Sequence, residues 1–583
     1  MKLKSMNKTI LLLIVLLSLI WVIKAQESPE PTSGDPLDLR TSANTSILTF
    51  YNAPAGASTT GQPVVAGDIN DNDCGDIVVA GQNASFAAPE GWRNNAGHLR
   101  IIMDVCIIEG IIDMSTDLPD TQVVVTIQGA RSNDMLGTEI FVSDFNSDGF
   151  DDILVGAQNH SGATNQRSRA GAVYVIFGQE DFAGLSTIDL NTRPDNVLII
   201  DGADAGDRLG MWVDGGDFDN DGFLDLLIGA NQADGIDNSN INAGETWIIF
   251  GSNDMINLYG SQIDLRQPPA TATQIIGADP DDLFGSTTLG ADVDNDGIDD
   301  AIISAALWRG SAGRGGLDFG GGDGPANQRY NTGDTFIIFG NEALRGQVIE
   351  LSNQIDDTGQ PTSEAISVIY GVDANDLLGE ELAAGDIDGD GLTDLVIGTL
   401  VSDGLDNLMT EAGEAWVIFG TQLARGQMID LASSIPDGSV AIYPDQPHSK
   451  GGDILRVADI DNDGFDDLLY GAPNYDPTGF DGTRRNNAGM LVILFGSEEG
   501  LGKSEDNYIL LPDQALRTSY IIGTDTEDMM AYGLEIYDLD GDGILDIIPN
   551  GMGGDGPNND LINSGEIYAI NGKLFGTDSS ISR

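Results

Sequence analysis

Five stretches of the chain place an aspartate at positions one, three, five and nine of the pattern D-x-D-x-D-G-x-x-D. They are Asp217, Asp219, Asp221 and Asp225; Asp292, Asp294, Asp296 and Asp300; Asp386, Asp388, Asp390 and Asp394; Asp459, Asp461, Asp463 and Asp467; and Asp538, Asp540, Asp542 and Asp546. Four carboxylates within nine residues repel one another, and folding them beside an apolar strand calls for a hard cation. Calcium accepts about six to eight oxygens and tolerates irregular shells, whereas magnesium prefers a water-rich octahedron, so calcium is the expected ion. Glycine at position six permits the sharp turn that lets positions one, three and five converge. The carbonyl of position seven and the carboxylate of position nine complete the shell. A sixth stretch carries Asn146 at position three, with Asp144, Asp148 and Asp152, and is expected to bind as well. A seventh, with Asp68, Asn70, Asn72 and Asp76, has Asp73 where the glycine is expected and is the weakest of the set.

The pattern begins like an EF-hand loop but cannot be one. Position twelve, which would have to be a ligating glutamate, is Val79, Val155, Ile228, Ile303, Ile397, Tyr470 or Pro549. The flanks are strand-like. A solvated acidic turn without metal is the plain alternative, and five complete copies weigh against it. Catalytic constellations are sparse. His98, His160 and His448 fall at unrelated positions, and no nucleophile elbow, HExxH zinc motif or phosphate-binding loop occurs. Aspartate pairs could imitate the two carboxylates of a glycosidase, but their tandem placement favours ligation, so no catalytic residue is assigned.

The elements that would position these loops form a long repeat. The loops start at Asp68, Asp144, Asp217, Asp292, Asp386, Asp459 and Asp538, with steps of 76, 73, 75, 94, 73 and 79 residues. Each step holds four strand-like runs. In the second unit they are 138–142, 153–156, 172–177 and 197–200, separated by Gly, Asp and Asn. The run after each loop is almost wholly apolar (ILVG, LLIG, LVIG, LLYG), as expected of a short core strand covered on both faces. The third run recurs as AVYVIFG, TWIIFG, TFIIFG, AWVIFG and LVILFG. Four strands per unit, repeated radially, describe a propeller blade, and units of this length are too long for the turns of a solenoid. The expected fold is all-β, a seven-bladed β-propeller of four-stranded blades. The last unit lacks a fourth strand, and residues 45–52 (TSILTFYN) precede the first loop without a unit of their own. The N-terminal strand is therefore expected to close the last blade and remove its open edge.

The loop, a following Gly471-Ala472-Pro473 and a preceding Phe284-Gly285 resemble FG-GAP repeats, which build the N-terminal propeller of integrin α subunits. The resemblance spans roughly residues 45–572. It implies a seven-bladed propeller with calcium in the loop between the first two strands of a blade, and a protein-binding or cell-surface adhesion role. The chain departs from integrin α subunits in having nearly every loop complete and in stopping at Arg583. Some calcium-dependent polysaccharide lyases are similar in pairing propellers with such loops. A calcium-dependent polysaccharide-binding protein or lyase is therefore the alternative to adhesion, and the partner is expected to be a protein or a glycan.

The remaining features set the compartment and the binding face. The formal net charge of -67, from 93 acids and 26 bases, repels nucleic acid and anionic membranes. Lys2, Lys4 and Lys8 precede an apolar run at 10–23, which reads as a secretory signal cleaved near Ala25, with an uncleaved anchor as the alternative. The expected divisions are a signal at 1–25, a proline-bearing linker at 26–44, the propeller at 45–572 and a tail at 573–583. The mature protein is expected to be secreted or cell-surface, without a further membrane span. Asn44, Asn83 and Asn159 open glycosylation sequons. Trp92, Arg93, Arg167, Arg169, Trp308, Arg309, Arg314, Arg329, Tyr330, Arg484 and Arg485 all fall between second and third strands. They are expected either to form a cationic ligand-binding ring on the face opposite the metal loops or to be ordinary loop surface. Cys74 lies in the first loop and Cys106 after the third strand of the same unit. On this map they either meet in a disulfide or remain separate thiols.

Overall fold

Each aspartate-rich stretch is the tip of a β-hairpin. In the third unit Val213–Gly216 and Asp225–Ala230 run antiparallel, and Gly216 pairs with Asp225 directly across the turn. The computed structural model of the protein describes residues 37–40, 46–51, 63–113, 123–252, 258–308, 319–433, 435–436, 438–479, 481–501, 507–512, 516–556 and 563–575. The expected signal at 1–25, the sequon at Asn44, and Arg309 and Arg314 lie outside the described residues, as does the tail beyond Phe575.

Seven sheets follow one another around a ring. Blade two shows the plan: Leu136–Ser143 innermost, then Asp152–Ala157, Ala172–Ile176 and Val197–Asp201, all antiparallel. A fifth, outer strand, Gln262–Asp264, pairs in parallel with the fourth and belongs to the connection between the third and fourth strands of blade three. The same lacing recurs around the ring. Blades one, three, four and five receive Thr187–Asp189, Val348–Glu350, Met428–Asp430 and Tyr508–Leu511 from the blade that follows. Each four-stranded blade is thus hydrogen-bonded to a segment of its neighbour.

The N-terminal segment closes the ring twice. Ile47–Tyr51 is the fourth strand of blade seven, antiparallel to Glu566–Ile570, as the strand count requires. Gly110–Asp113 of blade one then adds the outer strand of blade seven. Leu37–Asp38, inside the stretch expected to be linker, is the outer strand of blade six. The three prolines of that stretch pointed to an open chain, but the lacing of the last two blades needs this strand. The ring also runs into the expected tail, where Gly572–Leu574 form a 3-10 turn and Phe575 is buried.

After its leading aspartate the second strand of each blade is mostly apolar, because a neighbouring blade covers each of its faces. Asp225–Ala230 and Asp467–Ala472 are buried at every position. Seven large apolar cores result, one per blade interface. The largest joins blades one and two through Val78, Leu99, Ile101, Ile153, Tyr174 and Ile176, and the one at the closure joins blades seven and one through Phe50, Ile77, Val79, Ile548 and Ile567. Close approach is secured by a glycine just before the third strand. Gly171, with φ of +80°, would carry a Cβ 2.1 Å from the Leu209 carbonyl of the next blade, and Gly244 repeats this against Phe284 at 2.0 Å.

The innermost strands surround a central cavity of about 1030 Å³ whose lining includes Glu139, Asp214, Glu381, Arg456 and Glu535. Arg456 donates to Glu381 at 3.0 Å. No helix among the described residues is long and apolar enough to cross a membrane.

Phe50 is fully buried in the closing strand. Replacing it with Ala is expected to cost about 3–5 kcal/mol, read as a lower urea midpoint. An unchanged midpoint would show that the ring does not depend on that strand.

Candidate metal centres

The loops are held open by their own backbone. In blade three Asp217, at position one, accepts from the N–H groups of Asp221 at 3.1 Å and Gly222 at 2.9 Å, which bends the chain around it. Gly222 sits at φ +85°, a conformation that suits only glycine or a residue under strain. Asp225, at position nine, is buried and fixed from two sides. Phe218 N–H at position two donates to it at 3.0 Å, and Gly251 N–H donates at 2.7 Å. Gly251 is the glycine that ends the third strand, so the recurring Phe-Gly dipeptide is a fixed donor to the loop. Gly178, Gly340, Gly420, Gly496 and Gly572 do the same for Asp152, Asp300, Asp394, Asp467 and Asp546.

Positions one, three and nine converge. Carboxylate oxygens of Asp217, Asp219 and Asp225 lie within 4.8 Å of one another, as do those of Asp292, Asp294 and Asp300, of Asp386, Asp388 and Asp394, and of Asp459, Asp461 and Asp467. In blade seven the group is Asp538, Asp540 and Asp542. Position five does not join the group in blades three to six. Asp221, Asp296, Asp390 and Asp463 instead accept from the backbone N–H of position seven. The first two loops, with Asn at position three, form no such carboxylate group among the described residues.

Two observations mark these groups as fit for a cation. Asp219 Oδ1, Asp386 Oδ1, Asp461 Oδ1 and Asp540 Oδ1 are buried and accept no hydrogen bond. A buried carboxylate oxygen without a donor is costly unless a positive charge stands against it. Burial, reinforced by the neighbouring acids, also pushes the position-nine carboxyls upward. Asp152 and Asp225 reach about 8, and Asp300, Asp394, Asp467 and Asp546 about 7. An all-oxygen donor set of this charge matches a hard divalent ion.

Sequence reasoning missed two sets of residues here. A basic or phenolic side chain lies against positions three and five in five loops. Arg345 contacts Asp219 and Asp221, Arg425 contacts Asp294 and Asp296, and Arg517 contacts Asp461 and Asp463. Lys573 contacts Asp540 and Asp542, and in blade two Tyr259 donates to Asp148 at 3.3 Å. A faint signal existed, since R-G-Q follows the third strand at both 345–347 and 425–427. The second set is at position eight. Asp151, Asp299 and Asp466 each accept from the position-one N–H of the preceding blade, Asp68, Asp217 and Asp386, at 2.8 Å.

The first loop is built differently. Cys74, at position seven, is bonded to Cys106. Asn70 and Asn72 donate to Asp104 Oδ1 at 3.1 and 2.6 Å, so a covalent bond and amide donors brace this turn.

The opposite face corrects the expected cationic ring. Arg93, Arg167, Arg329 and Arg485 are engaged in ion pairs with Asp189, Asp264, Asp430 and Asp38. Each of those aspartates ends an outer strand donated by the next segment of the ring. The arginines therefore clamp neighbouring blades, a role the sequence hid because their partners are 96 to 447 residues away. Arg484 pairs with Asp476, Arg169 is exposed, and Trp92 and Tyr330 remain exposed at 62% and 65%. The histidines form no common site. His98 is pushed down to about 4 by burial, His160 is buried between Asp134 and Asp201, and His448 is exposed beside Glu411.

Residues 136–176, 209–249, 378–418 and 451–494, which fall in blades two, three, five and six, match the FG-GAP repeat. The chain thus carries FG-GAP repeats on a seven-bladed propeller. Human phosphatidylinositol-glycan-specific phospholipase D is 24% identical over 415 residues, covering 63% of this chain and 46% of that protein. The mouse protein of the same name is 28% identical over 225 residues, covering 38% and 24%. Human integrin alpha-7 is 30% identical over 159 residues, covering 27% and 12%. The chain spans less than half the length of each of these relatives.

A pH dependence follows from the buried carboxyls. They ionise near 4 when unfolded and at about 7 to 8 in the metal-free fold, so the folded state holds more protons across that window. Glu139 and Asp334, each at about 8, act in the same direction. Stability in chelator is therefore expected to fall as pH rises from 5 to 8, seen as a lower melting temperature. An equal or higher value at pH 8 contradicts this assignment.

Proposed function

We propose that this chain is a calcium-ligated propeller, exported from the cell, that binds a protein partner at the cell surface or outside it. The observation that carries the metal half of this reading is the set of buried position-three and position-one oxygens without donors at Asp219, Asp386, Asp461 and Asp540. The proposed ligands are positions one, three, five and nine of the loops. They run from Asp144, Asn146, Asp148 and Asp152 in blade two to Asp538, Asp540, Asp542 and Asp546 in blade seven. The first loop, with Asp68, Asn70, Asn72 and Asp76, is the weakest candidate, because its disulfide and amide donors already brace it. Calcium suits an oxygen-only shell of irregular geometry, and extracellular modules bind it at roughly 10⁻⁴–10⁻³ M, in keeping with the apolar run at 10–23 read as an export signal.

The binding half rests on the FG-GAP repeats, on the similarity to integrin alpha-7, and on the exposed Trp92 and Tyr330 of the face opposite the loops. Aromatic side chains are favoured at recognition surfaces. A glycan ligand is the second reading. It is supported by similarity over 415 residues to a protein named for a phosphatidylinositol-glycan. Catalysis, including polysaccharide cleavage, has no assigned residue among those described, and the tandem placement of the paired aspartates favours ligation.

Calcium at ten times its dissociation constant is expected to add about 1.4 kcal/mol per filled site. The melting temperature is expected to rise with calcium and to fall with EDTA. Asp219→Asn and Asp461→Asn are expected to reduce the gain. Identical melting with and without chelator removes the metal reading. Capture of a protein from cell-surface extract only in calcium supports the adhesive role. Selective glycan-array binding, or release of unsaturated sugars, would transfer the assignment to the second reading.

A further inference from the structure

The basic side chains at the loops follow one geometry. Arg345 leaves the connection after the third strand of blade four and reaches the loop of blade three. Its guanidinium lies 5.0 Å from the centre of the Phe250 ring and contacts the outer oxygens, Oδ2, of Asp219 and Asp221. Arg425, from blade five, does the same in blade four over Phe339 at 4.7 Å, on Asp294 Oδ2 and Asp296 Oδ2. Arg517 does it in blade six over Phe495 at 4.6 Å, on Asp461 Oδ2 and Asp463 Oδ2. The phenylalanine is in each case the one of the Phe-Gly dipeptide. A planar fork with two donors matches two carboxylates side by side, and the ring face beneath favours a cation.

The inner oxygens of two of these carboxylates are left over, while in blade four Asp294 Oδ1 accepts from the Asp296 N–H at 3.2 Å. Asp219 and Asp461 are 4% and 1% exposed, and the Oδ1 atom of each is buried without a donor. In blades three and six the guanidinium and a bound ion would therefore address opposite oxygens of one carboxylate, close enough for two positive charges to repel through a shared ligand. In blade two the corresponding group is neutral: Tyr259 stacks on Phe177 at 4.2 Å and takes up Asn146 and Asp148. In blade five no basic side chain among the described residues pairs with Asp386, Asp388, Asp390 or Asp394. Blade seven has Lys573, a point charge without a ring beneath it among the described residues.

Taking the loops as calcium sites, we propose that Arg345, Arg425 and Arg517 are tethered counter-cations that compete with calcium, dividing the sites into a weaker class in blades three, four and six and a tighter class represented by blade five, whose loop has the same four aspartates and no basic partner among the described residues. With calcium scarce, the guanidinium offsets the repulsion among the aspartates and, in blades three and four, ties the loop to the next blade. With calcium abundant, the ion adds to a loop whose charge is already partly neutralised, and so binds less tightly than it would alone. The ring thus stays closed over a wide range of calcium, and its loops fill in steps rather than together.

The test is calcium titration calorimetry and thermal melting of the full chain, unaltered and as the triple variant Arg345→Gln, Arg425→Gln, Arg517→Gln. The unaltered chain is expected to show two classes of site. The triple variant is expected to bind its weaker class about tenfold more tightly and to melt at lower temperature in EDTA. The matching Arg→Lys variant keeps the charge and is expected to stay near the unaltered chain in both measurements. If the Gln triple does not fold, the single variants, measured in calcium, carry the same expectation one site at a time. Unchanged or weaker calcium binding in the Gln variants overturns the inference, since the arginines would then orient the ligands rather than compete. A single class of sites in the unaltered chain overturns it too. No calcium uptake by the unaltered chain overturns the calcium reading itself, and the inference with it.

Discussion

Crowded carboxylates at the hairpin tips are the constraint to which the rest of the molecule answers. Every buried oxygen there needs an N–H donor or a positive charge against it, because the loops sit beside strands that are buried on both faces. The fold meets much of that need with its own backbone. Position one caps its own turn, and position nine is held by the N–H of position two and by the glycine that ends the third strand. In three interfaces position eight also accepts from the neighbouring blade. What the backbone does not reach are one buried oxygen each of Asp219, Asp386, Asp461 and Asp540, and these are the oxygens suited to a metal ion.

Ring closure and loop electrostatics depend on one another. A blade alone would expose both faces of its apolar second strand. Each of the seven cores exists only between two neighbours. The connection from third to fourth strand serves both ends of that interface. It adds an outer strand to the preceding blade, and in blades four and five it also carries the arginine that reaches the preceding blade's loop. On the other face Arg93, Arg167, Arg329 and Arg485 grip the aspartates of those same outer strands. In a chain of 93 acids and 26 bases, most of the arginines described pair with a particular carboxylate.

How far the sequence could be read depends on how local each interaction is. The loops, the hairpins and the blade count follow from patterns within nine residues or a single repeat. The closing strand Ile47–Tyr51 was legible because one unit lacked a strand and one strand lacked a unit. Leu37–Asp38 was not legible, since a two-residue strand has no pattern and proline at 29, 31 and 36 suggested an open chain. The arginines between second and third strands were found but misread: their composition suggested a binding ring, and only the position of distant aspartates shows them to be clamps. The disulfide stood between, with two cysteines placed on one face by the blade plan and their pairing left to the geometry.

The sequence alone determined the all-β repeat, the number of blades and the residues crowded at each tip, because short apolar runs, glycine turns and aspartate spacing act between near neighbours in the chain. The tertiary structure alone decided which carboxylate oxygens keep a donor and which do not. It also decided which basic side chain stands at which loop, and how one blade is laced to the next. Those outcomes depend on groups brought together across the ring from about a hundred residues apart, and electrostatic energy depends on distance in space rather than on separation along the chain.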